Sequence, residues 1–204
     1  MIKLAFKIPR SITVAFSGGV DSVAAVDFLS QNHDVTCAFF HHGTSTSNEA
    51  HKFVLNYCAI KEIPLIVGYL NSPNDPKKSM EEHWRDERYA FLDKFGPVVT
   101  AHHLDDCVET YIMSALHGKP KVIPFHRNAI MRPFLLNRKE ELIEWCLRKE
   151  LTFITDESNL DNKFMRNYVR NILMPHALHV NPGLHTTVKK IVVKQDKTLY
   201  NEYS

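Results

Sequence analysis

The chain has 204 residues, 44% hydrophobic and 24% charged, enough for one well-buried core with a small appendage. Its 25 Lys and Arg face 23 Asp and Glu, and this net charge of +2 excludes a global basic field, confining any nucleic-acid contact to a local patch. Cys37, Cys58, Cys107 and Cys146 form no CxxC pair, which argues against a zinc ribbon, an iron–sulfur site or a redox motif and fits free thiols in a reducing compartment.

The opening MIKLAFKIPRS has too short an apolar run for a signal peptide, and no apolar stretch of about 18 residues follows it. A soluble, cytoplasmic protein without membrane contact is expected. Short runs rich in Val, Ile, Leu and Phe predict strands at 12–16, 35–40, 65–67 and 98–101, and helical patterns fill 21–30, 47–61, 80–95 and 105–117 between and after them. This alternation predicts an α/β protein with a doubly wound parallel sheet. The prolines and Asn, Asp and Ser of 71–78 predict a surface loop. Beyond His117 the rhythm breaks at Gly118, Pro120, Pro124 and Pro133, and 121–125 with 129–132 predicts a small hairpin or crossover. Helices are expected again at 138–149, 163–179 and 184–203.

Ser17-Gly18-Gly19-Val20-Asp21-Ser22 follows the first strand and opens the first helix. Adjacent glycines bring bare N–H groups against a ligand, the helix N-terminus favours phosphate, and the two serine hydroxyls can donate to phosphate oxygens. Asp21 would repel phosphate unless a divalent cation lay between them, so a phosphate site with magnesium on Asp21 is expected. A plain Ser/Gly turn capped by Asp is the competing explanation. The loop lacks the lysine of GxxxxGK[ST], so it is not a Walker loop.

Ala101-His102-His103-Leu104-Asp105-Asp106-Cys107-Val108-Glu109-Thr110 leaves the fourth strand and enters a helix, at the end of the sheet that also carries the phosphate loop. Asp106 and Glu109 stand three apart on one helix face and together could hold an ammonium group. Helix capping by Asp105 or Asp106 is the alternative. The pairs His41-His42 and His102-His103 also admit a metal hydrolase, which would leave the phosphate loop without a role.

SGGVDS resembles the loop of the PP-loop ATP pyrophosphatases, and AHHLDDCVET resembles the AHHxDDxxET signature of the tRNA(Ile)-lysidine synthetase family within them. The likeness extends to His42-Gly43, to MEEHWRDERY at 80–89, to RPFLL at 132–136 followed by RKEEL at 138–142, and to DESNLD at 156–161 with Phe164, Arg166, Asn167 and Arg170. It covers about residues 10–182. It implies an adenine nucleotide alpha hydrolase-like catalytic domain over 1–135 and a helical extension over 136–204 packed on it. It also implies ATP as cosubstrate, and tRNA, through its anticodon loop, and free lysine as partners.

By motif position the implied nucleotide-binding residues are Ser17, Gly18, Gly19, Val20, Asp21, Ser22, His42 and His102. Asp21, Asp106, Glu109, Arg85 and Arg88 are the implied catalytic residues, and Asp106, Glu109, Arg166 and Arg170 those that touch substrate. The chain ends soon after these motifs, so a short form without the C-terminal domains typical of the family is expected, and a homo-oligomer stays open. A 2-thiocytidine-type tRNA thiolase, a metal-dependent phosphohydrolase and a non-catalytic tRNA-binding derivative are the alternatives.

Overall fold

The computed structural model describes residues 1–73, 77–155 and 161–196. Four βα units come first: β1 Ser11–Ala15, α1 Val20–Ser30, β2 Asp34–His41, α2 Ser45–Ile60, β3 Leu65–Tyr69, α3 Met80–Leu92, β4 Val98–Val99 and α4 Leu104–Leu116. The hairpin β5 His126–Arg127 and β6 Ile130–Met131 follows, then α5 Lys139–Arg148, α6 Met165–Tyr168, α7 Met174–Val180 and α8 Leu184–Gln195. The sheet order is β3-β2-β1-β4-β6-β5, parallel throughout except where β5 runs antiparallel to β6. The expected doubly wound α/β sheet is therefore present.

Period-2 alternation distributes β2 between both faces of the sheet. Val35, Cys37 and Phe39 join the core formed with α1, α2 and α5, whereas Ala38 faces Tyr89 and Leu92 of α3. A third cluster joins Leu104, Cys107 and Val108 of α4 to Val188 and Val192 of α8. With both faces covered, β2 reads from Val35 to Phe40 as an apolar run broken only by Thr36. Burying a side chain such as Phe16 contributes about 2–3 kcal/mol.

Two expectations need correction. The hairpin pairs only two residues per arm, turning at Asn128 (φ 52°), because Pro124 has no N–H to donate and Val122 and Phe125 are drawn into the cluster under α4 and α8. The single helix expected at 163–179 is divided: α6 runs into a π-helical turn, Val169–Leu173, before α7. Pro175, near the start of α7, displaces the carbonyl four residues back and widens the turn there. Of the loop expected at 71–78 and the helix expected at 184–203, residues 74–76 and 197–203 lie outside the described residues. No helix among the described residues is long and apolar enough to cross a membrane.

Candidate active site

The order β2-β1-β4 places a topological switch point between β1 and β4, where a ligand crevice forms outside the strand ends in sheets of this kind. The loop 17–22 leaves β1 there, and the segment 100–106 leaves β4. The turn is stabilised internally: Ser22 Oγ donates to the Gly19 carbonyl at 2.9 Å and lies 3.1 Å from Ser17 Oγ. Ile154 clamps it from outside, its N–H donating to the Gly18 carbonyl at 3.0 Å. Gly18 has φ 83°, and a Cβ there would stand 2.9 Å from Phe53 Cδ1. Gly19 has an ordinary φ, and its Cβ would meet only Ser17 Oγ at 3.6 Å. Gly18 thus answers to the fold, and the bareness of Gly19 matters only to something outside it. The first turn of α1 leaves the N–H groups of Val20, Asp21 and Ser22 without helical acceptors, a ready anion cradle.

Asp21 faces the second motif, with Oδ2 3.6 Å from His103 Nε2, while its Oδ1 is buried without a hydrogen-bond partner. A divalent cation would fit that orphan oxygen, with Asp21 as the residue that would hold it. Among the described residues no group of three or more His, Cys, Asp and Glu is arranged to hold a metal, so phosphate would have to complete the coordination. His103 is the N-cap of α4: its Nδ1 accepts from the Asp106 N–H at 3.4 Å, and Asp106 Oδ2 accepts from the His103 N–H at 3.0 Å. Burial works against a charged His103, yet Asp106, Asp21 and Asp105 outweigh it and raise its pKa. Asp106 stays well below the usual carboxylate range despite burial, held there by His103, His102 and Arg166.

Asp106 and Glu109 do share a face, but they do not form an open pocket. Glu109 is 1% exposed, and its carboxylate is fully engaged: Arg170 Nε donates to Oε1 at 2.6 Å, and Arg170 Nη2 and Arg166 Nε donate to Oε2 at 3.0 and 3.1 Å. Both guanidiniums also lie 3.6 Å from Asp106 Oδ1. The two arginines, one turn apart on α6 and the π-helical turn, are thus the ammonium-like occupants of this pocket. Arg170 remains firmly cationic, since Glu109 offsets the cost of its burial.

Opposite these groups, α3 presents Arg85 and Arg88, whose guanidiniums stack on Tyr89 at 4.9 and 5.7 Å from the ring centre. His102 hydrogen-bonds Thr100 Oγ1 at 2.8 Å, and its pKa is lowered to about 3 by burial and by Arg132, Arg88 and Arg166. His42 packs against Trp84 at 5.5 Å and is lowered to about 4 by burial and Arg88. Neutral histidines ringed by guanidiniums make a crevice disposed toward anions.

Residues 3–177 match the family model described as the PP-loop domain. The chain belongs to the PP-loop family. Among curated relatives, the tRNA(Ile)-lysidine synthase of Enterococcus faecalis is 30% identical over 195 residues, covering 85% of this chain and 42% of the relative. That of Nitrosomonas europaea is 32% identical over 196 residues, covering 87% and 43%. The chain thus spans less than half the length of these relatives. The solved NH3-dependent NAD synthetase of Campylobacter jejuni shares the fold, with a TM-score of 0.54 at 14% identity over 95% of this chain and 87% of that one.

In this PP-loop protein several polar residues that shape the site escape motif reading. Asp105 does not cap α4; its Oδ2 accepts the Lys139 N–H at the start of α5 at 2.8 Å, and its Oδ1 lies 3.0 Å from His185 Nε2 on α8. His103 therefore links Asp21 to a carboxylate that anchors two later helices. Arg132 is almost wholly buried, donating to the Pro124 carbonyl at 2.9 Å and to Tyr89 Oη at 3.4 Å, which fixes the residue under the α3 arginines. An arginine inside an apolar RPFLL run was the available signal for it, whereas nothing local to His185 marks it. Within the DESNLD segment, residues 156–160 lie outside the described residues; Asp161 accepts from the Asn167 side chain through its carbonyl at 3.0 Å.

Proposed function

We propose that the chain is the catalytic part of an ATP-dependent tRNA-modifying ligase, which adenylates the wobble cytidine of a CAU-anticodon tRNA and joins lysine to it as lysidine. One observation carries the reading: the phosphate loop and the AHHLDDCVET helix meet at a single switch point, with Asp21 3.6 Å from His103. The names of the curated relatives support the substrate class. A thiolase is disfavoured, because thiol chemistry needs an accessible thiolate. All four cysteines are buried, and burial pushes Cys107 up to about 12.

In the first step the cytidine carbonyl oxygen O2 attacks the α-phosphorus of ATP and pyrophosphate leaves. The amides of the first turn of α1 and the Ser17 hydroxyl receive the phosphate oxygens, the Ser22 hydroxyl joining them only on release from the Gly19 carbonyl, and Arg88, beside His42 and His102, adds positive charge to the crevice. Magnesium, when bound, supplies further charge neutralisation, and Asp21 would hold it. In the second step the ε-amine of lysine attacks C2, AMP departs with O2 and the amine proton is lost to water, with Asp106 proposed to orient the amine by accepting a hydrogen bond from it. The cytidine must leave its stack to reach the crevice, which is less demanding in a single-stranded loop. Glu109 takes a lysine ammonium in this scheme only if Arg166 and Arg170 exchange partners, and RNA phosphates are the natural competitors for those guanidiniums.

The test is AMP release from ATP with and without lysine and a CAU-anticodon transcript. AMP that depends on the transcript supports the reading. Phosphate release that ignores lysine and RNA identifies a hydrolase instead.

A further inference from the structure

Beside the Glu109 cluster lies a cavity of about 430 Å³ between α3, α4 and the loop after α4, comparable in size to ligand pockets of roughly 300–1,000 Å³. Arg85, Arg166, His117, Lys119 and Lys121 line it, and no carboxylate does. No carboxylate among the described residues forms an ion pair with Arg85, Lys119 or Lys121, whereas Arg166 reaches from this cavity to Glu109. The lysines stand on a fixed turn: Ser114 Oγ accepts the Lys121 N–H at 2.7 Å and the Ser114 carbonyl accepts the Lys119 N–H at 3.1 Å. Gly118, at φ 73°, lets the chain reverse between His117 and Lys119.

We infer that this cavity seats phosphodiester groups of the RNA strand flanking the nucleotide that enters the crevice. Arg85, Lys119 and Lys121, which make no ion pair among the described residues, give a chain of net charge +2 a local anion site, the patch to which the composition confines nucleic-acid contact. The lining includes Met113, Thr110 and Ser114 but no Phe, Tyr or Trp, so its cations favour contact with the backbone over readout of sequence. Arg166 gives the site a second consequence. A phosphate in the cavity competes with Glu109 for this guanidinium, so RNA occupancy loosens the clamp that closes the amine pocket.

The inference rests on the tRNA-modification reading, and its experiment separates the two. Binding of a labelled anticodon stem-loop to the full chain is followed over about 50–200 mM salt, for the parent and for Lys119→Ala/Lys121→Ala. Losing two single-strand contacts should make the salt slope shallower by about 1.4, at about 0.7 per contact. Affinity at low salt should fall roughly tenfold while ATP binding is unchanged, and Arg85→Ala should weaken RNA binding in the same sense. Unchanged RNA affinity and slope in both variants overturn the cavity assignment, yet leave the reading standing if the parent still joins lysine to tRNA. Inorganic phosphate that binds the parent but not Lys119→Ala/Lys121→Ala, while RNA affinity is the same in both, assigns the cavity to a free anion and overturns the inference. A parent that binds RNA but joins no lysine overturns the reading alone, and a parent that binds no RNA overturns both.

Discussion

Glu109 and Arg170 form a side-on ion pair, Nε to Oε1 at 2.6 Å and Nη2 to Oε2 at 3.0 Å, with the carboxylate almost completely enclosed. Sixty-one positions separate the two residues in sequence, so the contact joins α4 to the π-helical turn before α7. Glu109→Gln should leave two guanidiniums without their counter-charge. We expect a loss of about 2 kcal/mol in urea unfolding, below the roughly 3–5 kcal/mol of a fully enclosed pair, because the arginines keep part of their hydration. Lysine use per folded molecule should fall about tenfold and adenylation less. Unchanged stability would contradict the pairing.

Gly18 and Gly19 separate the demands of folding from those of ligand approach. Gly19→Val should fold with a melting temperature near that of the parent and release no AMP, because its side chain occupies the phosphate path. Gly18→Val should unfold at lower temperature, burdened by a positive φ and by Phe53 and Ile154. Equal melting losses in the two variants would remove the distinction.

His185 reaches back from α8 to Asp105, beside the His103 that faces the phosphate loop. His185→Ala should destabilise the chain by about 1.5–3 kcal/mol, the scale of a hydrogen bond to a charged group. Amide exchange should accelerate in α8 and the first turn of α4. His185→Gln, which can still donate to Asp105, should restore most of the protection. No change in exchange with the alanine variant would show that the contact contributes nothing.

Acid should weaken the fold before the carboxylates titrate. His102 and His42 have folded pKa values of about 3 and about 4, below the ordinary histidine value of about 6.5, so between those limits the unfolded chain binds more protons. Their contribution is present above pH ~6.5 and is lost as pH falls toward the folded values. His103, whose pKa is raised, works in the opposite sense, favouring the fold at low pH and losing its effect as pH rises through its folded value. His102→Gln should therefore show a smaller melting-temperature drop than the parent between pH 7 and pH 5, measured by circular dichroism.

The βα order and the convergence of the two motifs were legible because both depend on local signals: apolar runs, glycines and helix starts that need no distant partner. The expected 98–101 strand shrinks to Val98–Val99 because Thr100 and His102 turn toward each other through their side chains. The arginine clamp on Glu109 was hidden by sequence distance, and a lone Glu three residues after Asp106 looks the same whether it awaits a lysine or is already paired. The basic cavity was missed for a similar reason. Arg85, Lys119 and Arg166 are dispersed along the chain, and only the packing of α3 against the α4 end gathers them.

Under the proposed function, ATP cleavage is committed to joining lysine to RNA. The most direct measurement incubates the full chain with ATP, magnesium, labelled lysine and a CAU-anticodon transcript, then quantifies AMP and lysine-bearing nucleoside by mass spectrometry. The account predicts one AMP for each lysine joined, with the nucleoside heavier by lysine less one water, and loss of both products when RNA is omitted or Gly19 is replaced by Val. AMP formed at the same rate without RNA, or a transcript left unmodified while ATP is consumed, would contradict it.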